Sequence, residues 1–196
     1  MEKVKNPIIY LGYHKSGSKW MWKHFFNEFY DCKQVDIFNI DDYDIKYSHK
    51  QKILRTSLEE GLMGSERLGL SKKIKVLFPN ARIIVAIRSQ RSMLPSHYTQ
   101  YIRNGGRLGF NKYLNQVVKN KWRYSKLIEE LHQDFGIDQV FVYLFEGFVT
   151  DKSKVLNNIV NFIEKSRVNK FNESIDRIVN LPRLNPRRDD LVIDTM

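Results

Sequence analysis

A loop near the start of the chain combines the residue types that bind anionic groups. It comprises residues 12–20, reads GYHKSGSKW, and follows the apolar run 7–11. When such a loop joins a strand to a helix, its backbone N–H groups and the helix N-terminus converge on an anion, usually a phosphate. We therefore predict a phosphate-binding loop that contains Lys15. The alternative is a glycine-rich turn that holds no ligand.

The loop departs from the Walker A pattern of nucleotide kinases and NTPases. Gly12 and Gly17 are five residues apart, as that pattern requires, but Ser18 and Lys19 follow where it places a lysine and then a serine or threonine. No acidic residue stands in an obvious place at the ends of the other apolar runs to hold Mg²⁺. The sequence therefore disfavours a kinase, and we expect no metal ion.

A second candidate anion site follows another apolar run, 82–88. Arg88 ends this run, and Ser96 stands eight residues further along. A guanidinium grips a phosphate as a planar fork, and a serine hydroxyl can bind the same group. Two anion sites beside one crevice fit a nucleoside that carries phosphates at both ends.

The apolar runs also indicate the fold. Residues 7–11, 82–88 and 140–145 are nearly continuous apolar stretches, as in strands that are buried on both faces. Helical periodicity occurs at about 20–29, 66–78, 92–104, 110–120, 122–135 and 152–165. This alternation predicts a single α/β domain with a central parallel β-sheet flanked by helices, in which ligands bind at the carboxyl ends of the strands. Residues 35–40 could be extended, and 53–57 are too few to distinguish strand from helix.

Length, charge and cysteine content set the broad class of protein. The chain has 196 residues, a formal net charge of +11 and one cysteine, Cys32. These values fit one globular domain with an anionic partner and without a disulfide framework or multi-cysteine zinc site. No stretch approaches the roughly 20 apolar residues of a membrane helix, and no apolar signal core follows the N-terminus. We therefore expect a soluble, cytoplasmic protein.

The distribution of charge supports an alternative function. Residues 82–107 contain five arginines and no acid, whereas residues 31–44 contain five aspartates and one lysine. An acid-free block with Tyr98 and Tyr101 as stacking residues would suit a nucleic-acid-binding module. The arginines are, however, dispersed over strand, loop and helix, and no known nucleic-acid motif is present. Nucleic acid is therefore the less favoured partner.

Taken together, the two loops resemble those of the sulfotransferases that use 3′-phosphoadenosine 5′-phosphosulfate (PAPS). Residues 15–20, KSGSKW, are similar to the family's 5′-phosphosulfate loop, usually Lys-Ser-Gly-Thr-Thr-Trp, and Arg88 with Ser96 resembles its 3′-phosphate pair. Segments at 60–64, 77–81, 98–106 and 143–148 resemble the bacterial branch, so the likeness covers roughly residues 7–165. It implies one P-loop-like domain over 1–196, in which 166–196 form a short C-terminal extension.

The resemblance also implies the roles of individual residues. Lys15 would contact the 5′-phosphosulfate near its bridging oxygen and stabilise the leaving phosphate in an in-line, metal-free transfer. A general base would take the proton from the acceptor, with Glu60 as the first candidate and His49 as the second. The residues expected to bind PAPS, or its product 3′-phosphoadenosine 5′-phosphate (PAP), are Lys15, Ser16, Gly17, Ser18, Lys19, Trp20, Arg88, Ser96, Arg187 and Arg188.

The acceptor implied by the resemblance is a small molecule or a glycan with a hydroxyl or amine group. Phenols, lipids, sterols and carrier-bound acyl chains are all sulfated on this kind of scaffold, and the fold does not choose among them. Glu146, at the end of the run 140–145, is expected to anchor neighbouring loops rather than to act in catalysis. Trp20 is expected to pack in the core at the border of the first loop.

Overall fold

A five-stranded parallel sheet forms the centre of the described part of the chain. The structure is a computed structural model, and it describes residues 6–13, 16–37, 50–57, 69–118, 124–165 and 171–182. The strands are β1 (Ile8–Gly12), β2 (Asp31–Gln34), β3 (Lys52–Ser57), β4 (Arg82–Ile87) and β5 (Val140–Leu144). Their order is β2-β3-β1-β4-β5, and every neighbouring pair is parallel. The predicted parallel α/β sheet is confirmed.

Helices follow the strands. The first, α1, is continuous but changes its winding, with α-helical ends, Ser18–Trp20 and Asn27–Phe29, around a π-helical middle, Met21–Phe26. The others are α2 (Leu70–Leu77), α3 (Gln90–Arg103), α4 (Phe110–Tyr113, extended by the π-helical Leu114–Val118), α5 (Tyr124–Phe135), α6 (Phe145–Thr150), α7 (Lys152–Glu164) and α8 (Asn172–Val179). Among the described residues, none of these helices is long and apolar enough to cross a membrane.

Both faces of the sheet are buried. Ile9 and Leu11 of β1 and Val85 of β4 belong to a core that α2 and α5 cover. Ile8 and Tyr10, on the opposite face of β1, belong to a second core beneath α1, α7 and α8. Removing an Ile or Leu side chain from water stabilises the fold by about 1.5–3 kcal/mol. The continuous apolar runs in the sequence are explained by this burial on two sides.

The structure settles the segments whose conformation the sequence left open. Residues 53–57 lie in β3, and the edge strand β2 precedes rather than includes residues 35–40, of which 38–40 lie outside the described residues. The run 140–145 is a strand only as far as Leu144, because Phe145 begins α6. Of the predicted helical ranges, residues 66–68, 119–120 and 122–123 also lie outside the described residues.

The strand order places a topological switch point between β1 and β4. The chain leaves β1 towards β2 on one side of the sheet, whereas it leaves β4 towards β5 on the other. In open parallel sheets, ligands bind in the crevice at the carboxyl ends of the strands where the connections diverge in this way. The two predicted anion loops follow these two strands, so they flank the crevice.

Candidate functional site

Two glycines of the first loop lie against side chains, so that a Cβ would clash at Gly12 and be tightly packed at Gly17. At Gly12, the last residue of β1, a Cβ would lie 2.0 Å from Oγ of Ser18. At Gly17 it would lie 3.0 Å from the ring of Phe145, and Gly17 also has φ +76°, in the left-handed region that favours glycine. Glycine at both positions therefore allows the loop to fold tightly over the end of the sheet.

The serine side chains of this loop point into the protein. Ser16 is fully buried and Ser18 is 5% exposed. Ser16 Oγ donates to the carbonyl oxygen of Tyr13 at 2.6 Å, so in its 3.0 Å contact with Ser18 Oγ the proton comes from Ser18. Because both hydroxyl protons are used to hold the loop, these two serines leave the donation of hydrogen bonds to an anion to other groups, among them the backbone. The first N–H groups of α1, which have no partner within the helix, can supply them.

A pair of buried tyrosines supports the loop from below. Tyr10 and Tyr143 form a hydrogen bond of 2.9 Å between their hydroxyl oxygens, and Tyr10 is also hydrogen-bonded to Ser18. Ala86 of β4 is in register with both Gly12 and Tyr143, and its small side chain lets the two tyrosines meet across β4. Burial raises the pKa of both hydroxyls, so they remain protonated at neutral pH. This network links the first loop to β5.

Arg88 lies at the end of β4 with its guanidinium fixed on two sides. Its Nε donates to Ser92 Oγ at 3.0 Å, and its Cζ lies 4.8 Å from the centre of the Phe145 ring. The side chain is only 14% exposed. An arginine held in this way loses little conformational freedom when it binds an anion, so Arg88 is preorganised at the predicted second site.

Glu146 anchors the second loop, as predicted. Its carboxylate accepts hydrogen bonds from the Ser89 backbone N–H, at 3.2 Å to each oxygen, and from Ser92 Oγ at 2.7 Å. Burial alone would raise the pKa of Glu146. The hydrogen bonds from Ser92 and Ser89, together with the charge of Arg88 4.0 Å away, nevertheless hold this pKa below its ordinary value. Glu146 therefore remains ionised and fastens the start of α3 to the start of α6.

Ser96 lies one turn beyond Ser92 in α3, so the two serines share a face of that helix. Ser92 contacts Arg88, and the structure therefore places Ser96 on the side of α3 that faces the predicted second site. Lys19, by contrast, is exposed at the start of α1. The positions of Arg88 and Ser96 agree with a shared anion, whose binding remains a prediction.

Phe145 brings the two loops together. Its ring lies against Gly17 of the first loop and beneath the guanidinium of Arg88 in the second. Sequence reasoning missed this residue and Ser92, because both contacts join segments that are far apart along the chain. The only available signal was that the run 140–145 ends at the carboxyl edge of the sheet, where Phe145 would meet the loops.

Trp20 packs in the core and forms a hydrogen bond with Pro182, the last described residue. It is 6% exposed, and its Nε1 donates to the carbonyl oxygen of Pro182 at 3.2 Å. Lys152 Nζ lies 4.9 Å from the Trp20 ring and donates to the carbonyl oxygen of Val179 at 2.7 Å. The chain beyond Pro182 therefore begins close to the start of α1. The predicted packing role of Trp20 is confirmed.

Five predicted site residues lie outside the described residues: Lys15, His49, Glu60, Arg187 and Arg188. Their roles remain predictions. In the described ranges, no group of three or more His, Cys, Asp or Glu side chains could hold a metal ion.

The tyrosines proposed for nucleic-acid stacking have structural partners. Tyr98 and Tyr101 stack on each other at 6.2 Å between ring centres, and both contact Tyr113. The Tyr98 hydroxyl donates to the carbonyl oxygen of Leu108, and the Tyr101 hydroxyl accepts from the Leu108 N–H. Both rings therefore hold the turn that joins α3 to α4, which makes them a weaker platform for bases.

Comparisons with known proteins agree with this architecture. A crystal structure of a sulfotransferase from Alicyclobacillus acidocaldarius superposes with a TM-score of 0.63 at 16% identity, covering 82% of this chain and 81% of that one. The crystal structure of mouse sulfotransferase SULT7A1 in complex with PAP gives a TM-score of 0.59 at 15% identity, covering 89% of this chain but only 64% of the mouse protein. A search among curated proteins gave no significant match. The model of the sulfotransferase domain matches residues 5–191, nearly the whole chain, and the chain therefore belongs to the sulfotransferase domain family.

Proposed function

We propose that this protein is a sulfotransferase that moves a sulfuryl group from PAPS to a hydroxyl or amine of an acceptor. The observation that carries the proposal is the contact of Phe145 with both Gly17 and Arg88. One aromatic ring thus contacts both predicted anion loops, which supports the proposal that they bind one nucleotide. Family membership and the PAP complex of the mouse sulfotransferase support the choice of this nucleotide.

The described residues fit a ligand with two separated anionic groups. The backbone at Gly17, Ser18 and Lys19 would receive the 5′-phosphosulfate, because the buried hydroxyls of Ser16 and Ser18 are engaged within the loop. The guanidinium of Arg88 and the hydroxyl of Ser96 would receive the 3′-phosphate. Because Gly17 has no Cβ, the backbone of the loop can lie close to the Phe145 ring.

Lys15 is proposed to stabilise the charge that develops on the leaving phosphate. When bound, PAPS supplies the sulfuryl group. The residues on either side of His14 and Lys15 are joined by two hydrogen bonds, from Ser16 N at 3.2 Å and Ser16 Oγ at 2.6 Å to the carbonyl oxygen of Tyr13. The two residues that flank this segment are therefore held together, which supports a role in which Lys15 places its charge beside one oxygen atom.

Glu60 is proposed as the general base ahead of His49. Glu60 follows β3 by three residues, and Ser57 of β3 is in register with Gly12 at the edge where the loops lie. His49 precedes Lys52, at the opposite end of β3, and three residues extend at most about 11 Å. A strand of this length is about 17 Å long. By its separation along the chain from the end of β3 that lies beside the loops, Glu60 is favoured over His49 as the base.

Arg187 and Arg188 are proposed to complete the 3′-phosphate site. The Trp20 indole holds Pro182 near the start of α1. The five residues from Pro182 to Arg187 can extend at most about 18 Å. The position of Pro182 beside α1, the helix that follows the first loop, supports this proposal.

The binding proposal is tested by calorimetric titration of two variants with PAP and with AMP, which lacks the 3′-phosphate. Lys15→Ala should weaken both ligands, because both carry the 5′-phosphate. Arg88→Ala should weaken PAP about 10- to 100-fold, the range of one charged hydrogen-bonding group, and leave AMP unchanged. Lys112→Ala, which removes an exposed lysine of α4, is the matched control. Unchanged PAP affinity in both site variants, with unchanged thermal midpoints, would contradict the proposal.

Transfer itself is tested by following PAP release from PAPS in the presence of acceptor mixtures. Glu60→Gln should abolish release while leaving PAP affinity intact, and His49→Gln should have little effect on either. If His49→Gln abolishes release and Glu60→Gln does not, the assignment of the base is wrong.

A further inference from the structure

We infer that Ser92 and Glu146 are positioning residues that orient Arg88 and thereby give the site its preference for a 3′-phosphorylated nucleotide. The inference rests on the proposed function, because Arg88 is proposed there to bind the 3′-phosphate. Ser92 and Glu146 would act only through Arg88. They are therefore positioning rather than catalytic residues.

The orientation of Arg88 is set by Ser92. A guanidinium presents a planar fork, so its angle decides whether it meets a phosphate with two parallel hydrogen bonds or with one. The Nε–H of Arg88 is bonded to Ser92 Oγ at 3.0 Å, and the Phe145 ring lies beneath the plane. One edge and one face of the guanidinium are thereby held. Rotation about the last bonds of the side chain would break the Ser92 contact.

Ser92 is itself oriented by Glu146. A serine hydroxyl has a single proton, and the shortest acceptor for it is Glu146 Oε1 at 2.7 Å, ahead of the Ser89 carbonyl oxygen at 3.1 Å. With the proton directed to the carboxylate, the lone pairs of Ser92 Oγ are available to Arg88. Glu146 is in turn fixed by the backbone N–H of Ser89. The hydrogen bonds therefore form one directed chain from Arg88 through Ser92 to Glu146.

The negative charge of Glu146 argues against direct binding of an anion and in favour of a positioning role. A carboxylate 4.0 Å from Arg88 partly cancels the positive charge that would attract a phosphate. Its side chain is 42% exposed, so water screens much of this effect. A group that opposes anion binding by charge can still favour it by geometry. A variant of Glu146 would change both quantities together, whereas a variant of Ser92 changes only the geometry.

The experiment compares PAP and AMP affinities, by calorimetry, for wild type, Ser92→Ala and Ser92→Thr. The full-length protein is used, and thermal midpoints are recorded for each variant. Ser125→Ala is the matched control, because Ser125 is an exposed serine in the first turn of α5. We expect Ser92→Ala to lower the ratio of PAP to AMP affinity about tenfold, as for one hydrogen bond to a charged group. Ser92→Thr, which keeps the hydroxyl, should restore the ratio.

The outcomes separate this inference from the proposed function. A wild-type protein that binds PAP no better than AMP would overturn both. A wild-type preference for PAP that Ser92→Ala retains in full would overturn the inference alone. Equal weakening of PAP and AMP in Ser92→Ala would also overturn it, because a merely structural role of Ser92 would not single out the 3′-phosphate.

Discussion

Close contacts within the candidate site favour glycine at two positions of the first loop. A Cβ would clash with Ser18 at Gly12 and would pack tightly against Phe145 at Gly17. Gly17 carries two constraints at once, its positive φ and its contact with Phe145. These two contributions can be measured separately, because other glycines share the first constraint only.

We predict that Gly17→Ala destabilises the protein more than Gly105→Ala does. Both glycines have positive φ in a tight turn, a conformation that costs an alanine about 1–2 kcal/mol. Of the two, Gly17 has a neighbour 3.0 Å from where the Cβ would lie, whereas Gly105 has none within 4 Å. Chemical denaturation of both variants gives the two free energies of unfolding, and Gly17→Ala should also weaken PAP binding. Equal destabilisation with intact PAP binding would show that the Phe145 contact is unimportant.

Sequence reasoning could find the residues of the site that lie beside a strand end, and could not find those that complete it. Arg88, Ser96 and Gly17 are recognisable because their types and spacing follow apolar runs. Ser92 carries no such signal, since its role depends on Glu146, 54 residues away. Local sequence patterns do not specify a contact between residues so far apart in the chain, because such a contact is determined by the packing of the folded protein.

Among the strands, β1, β4 and β5 were predictable from the sequence, β3 was left open, and the edge strand β2 was not predicted. β1 is fully buried and β4 nearly so, which produces unbroken apolar runs. β2 lies at the edge of the sheet, and its sequence, Asp-Cys-Lys-Gln, is only partly buried. An edge strand needs no continuous apolar pattern, so residues 31–34 carry no strand signal. The end of β5 was likewise not predictable, because Phe145 continues the apolar run of this strand. In the structure, α6 begins at Phe145, next to Glu146, whose carboxylate contacts the start of α3.

At the same scale, the Tyr10–Tyr143 hydrogen bond is expected to couple β1 to β5 across β4. Replacing either tyrosine by phenylalanine leaves a buried hydroxyl without this partner and should cost about 1 kcal/mol or more. The double variant should be more stable than the sum of the two losses predicts, by about 1 kcal/mol. Tyr30→Phe is the control, because the buried Tyr30 hydroxyl has no hydrogen-bond partner among the described residues. Strict additivity in denaturation experiments would show that the two hydroxyls are not coupled.

For the molecule as a whole, the net charge of +11 suits two kinds of anionic partner, a nucleotide or a nucleic acid. The structure gives Tyr98 and Tyr101 partners within the protein, so these two rings are poorly placed to stack on bases. We therefore predict no binding of a single-stranded oligonucleotide at micromolar concentration and moderate salt, as measured by fluorescence anisotropy. Tight binding that persists in Lys15→Ala and Arg88→Ala would favour the nucleic-acid-binding alternative.

The switch point between β1 and β4 is proposed to hold one nucleotide by both of its phosphorylated ends. Calorimetric titration of the wild-type protein with PAP, ADP and AMP tests this most directly. We predict saturable binding of PAP with one site per chain, and affinities for ADP and AMP that are lower by about tenfold or more, because neither carries a 3′-phosphate. Equal affinity for the three nucleotides, or no binding of PAP, would contradict it.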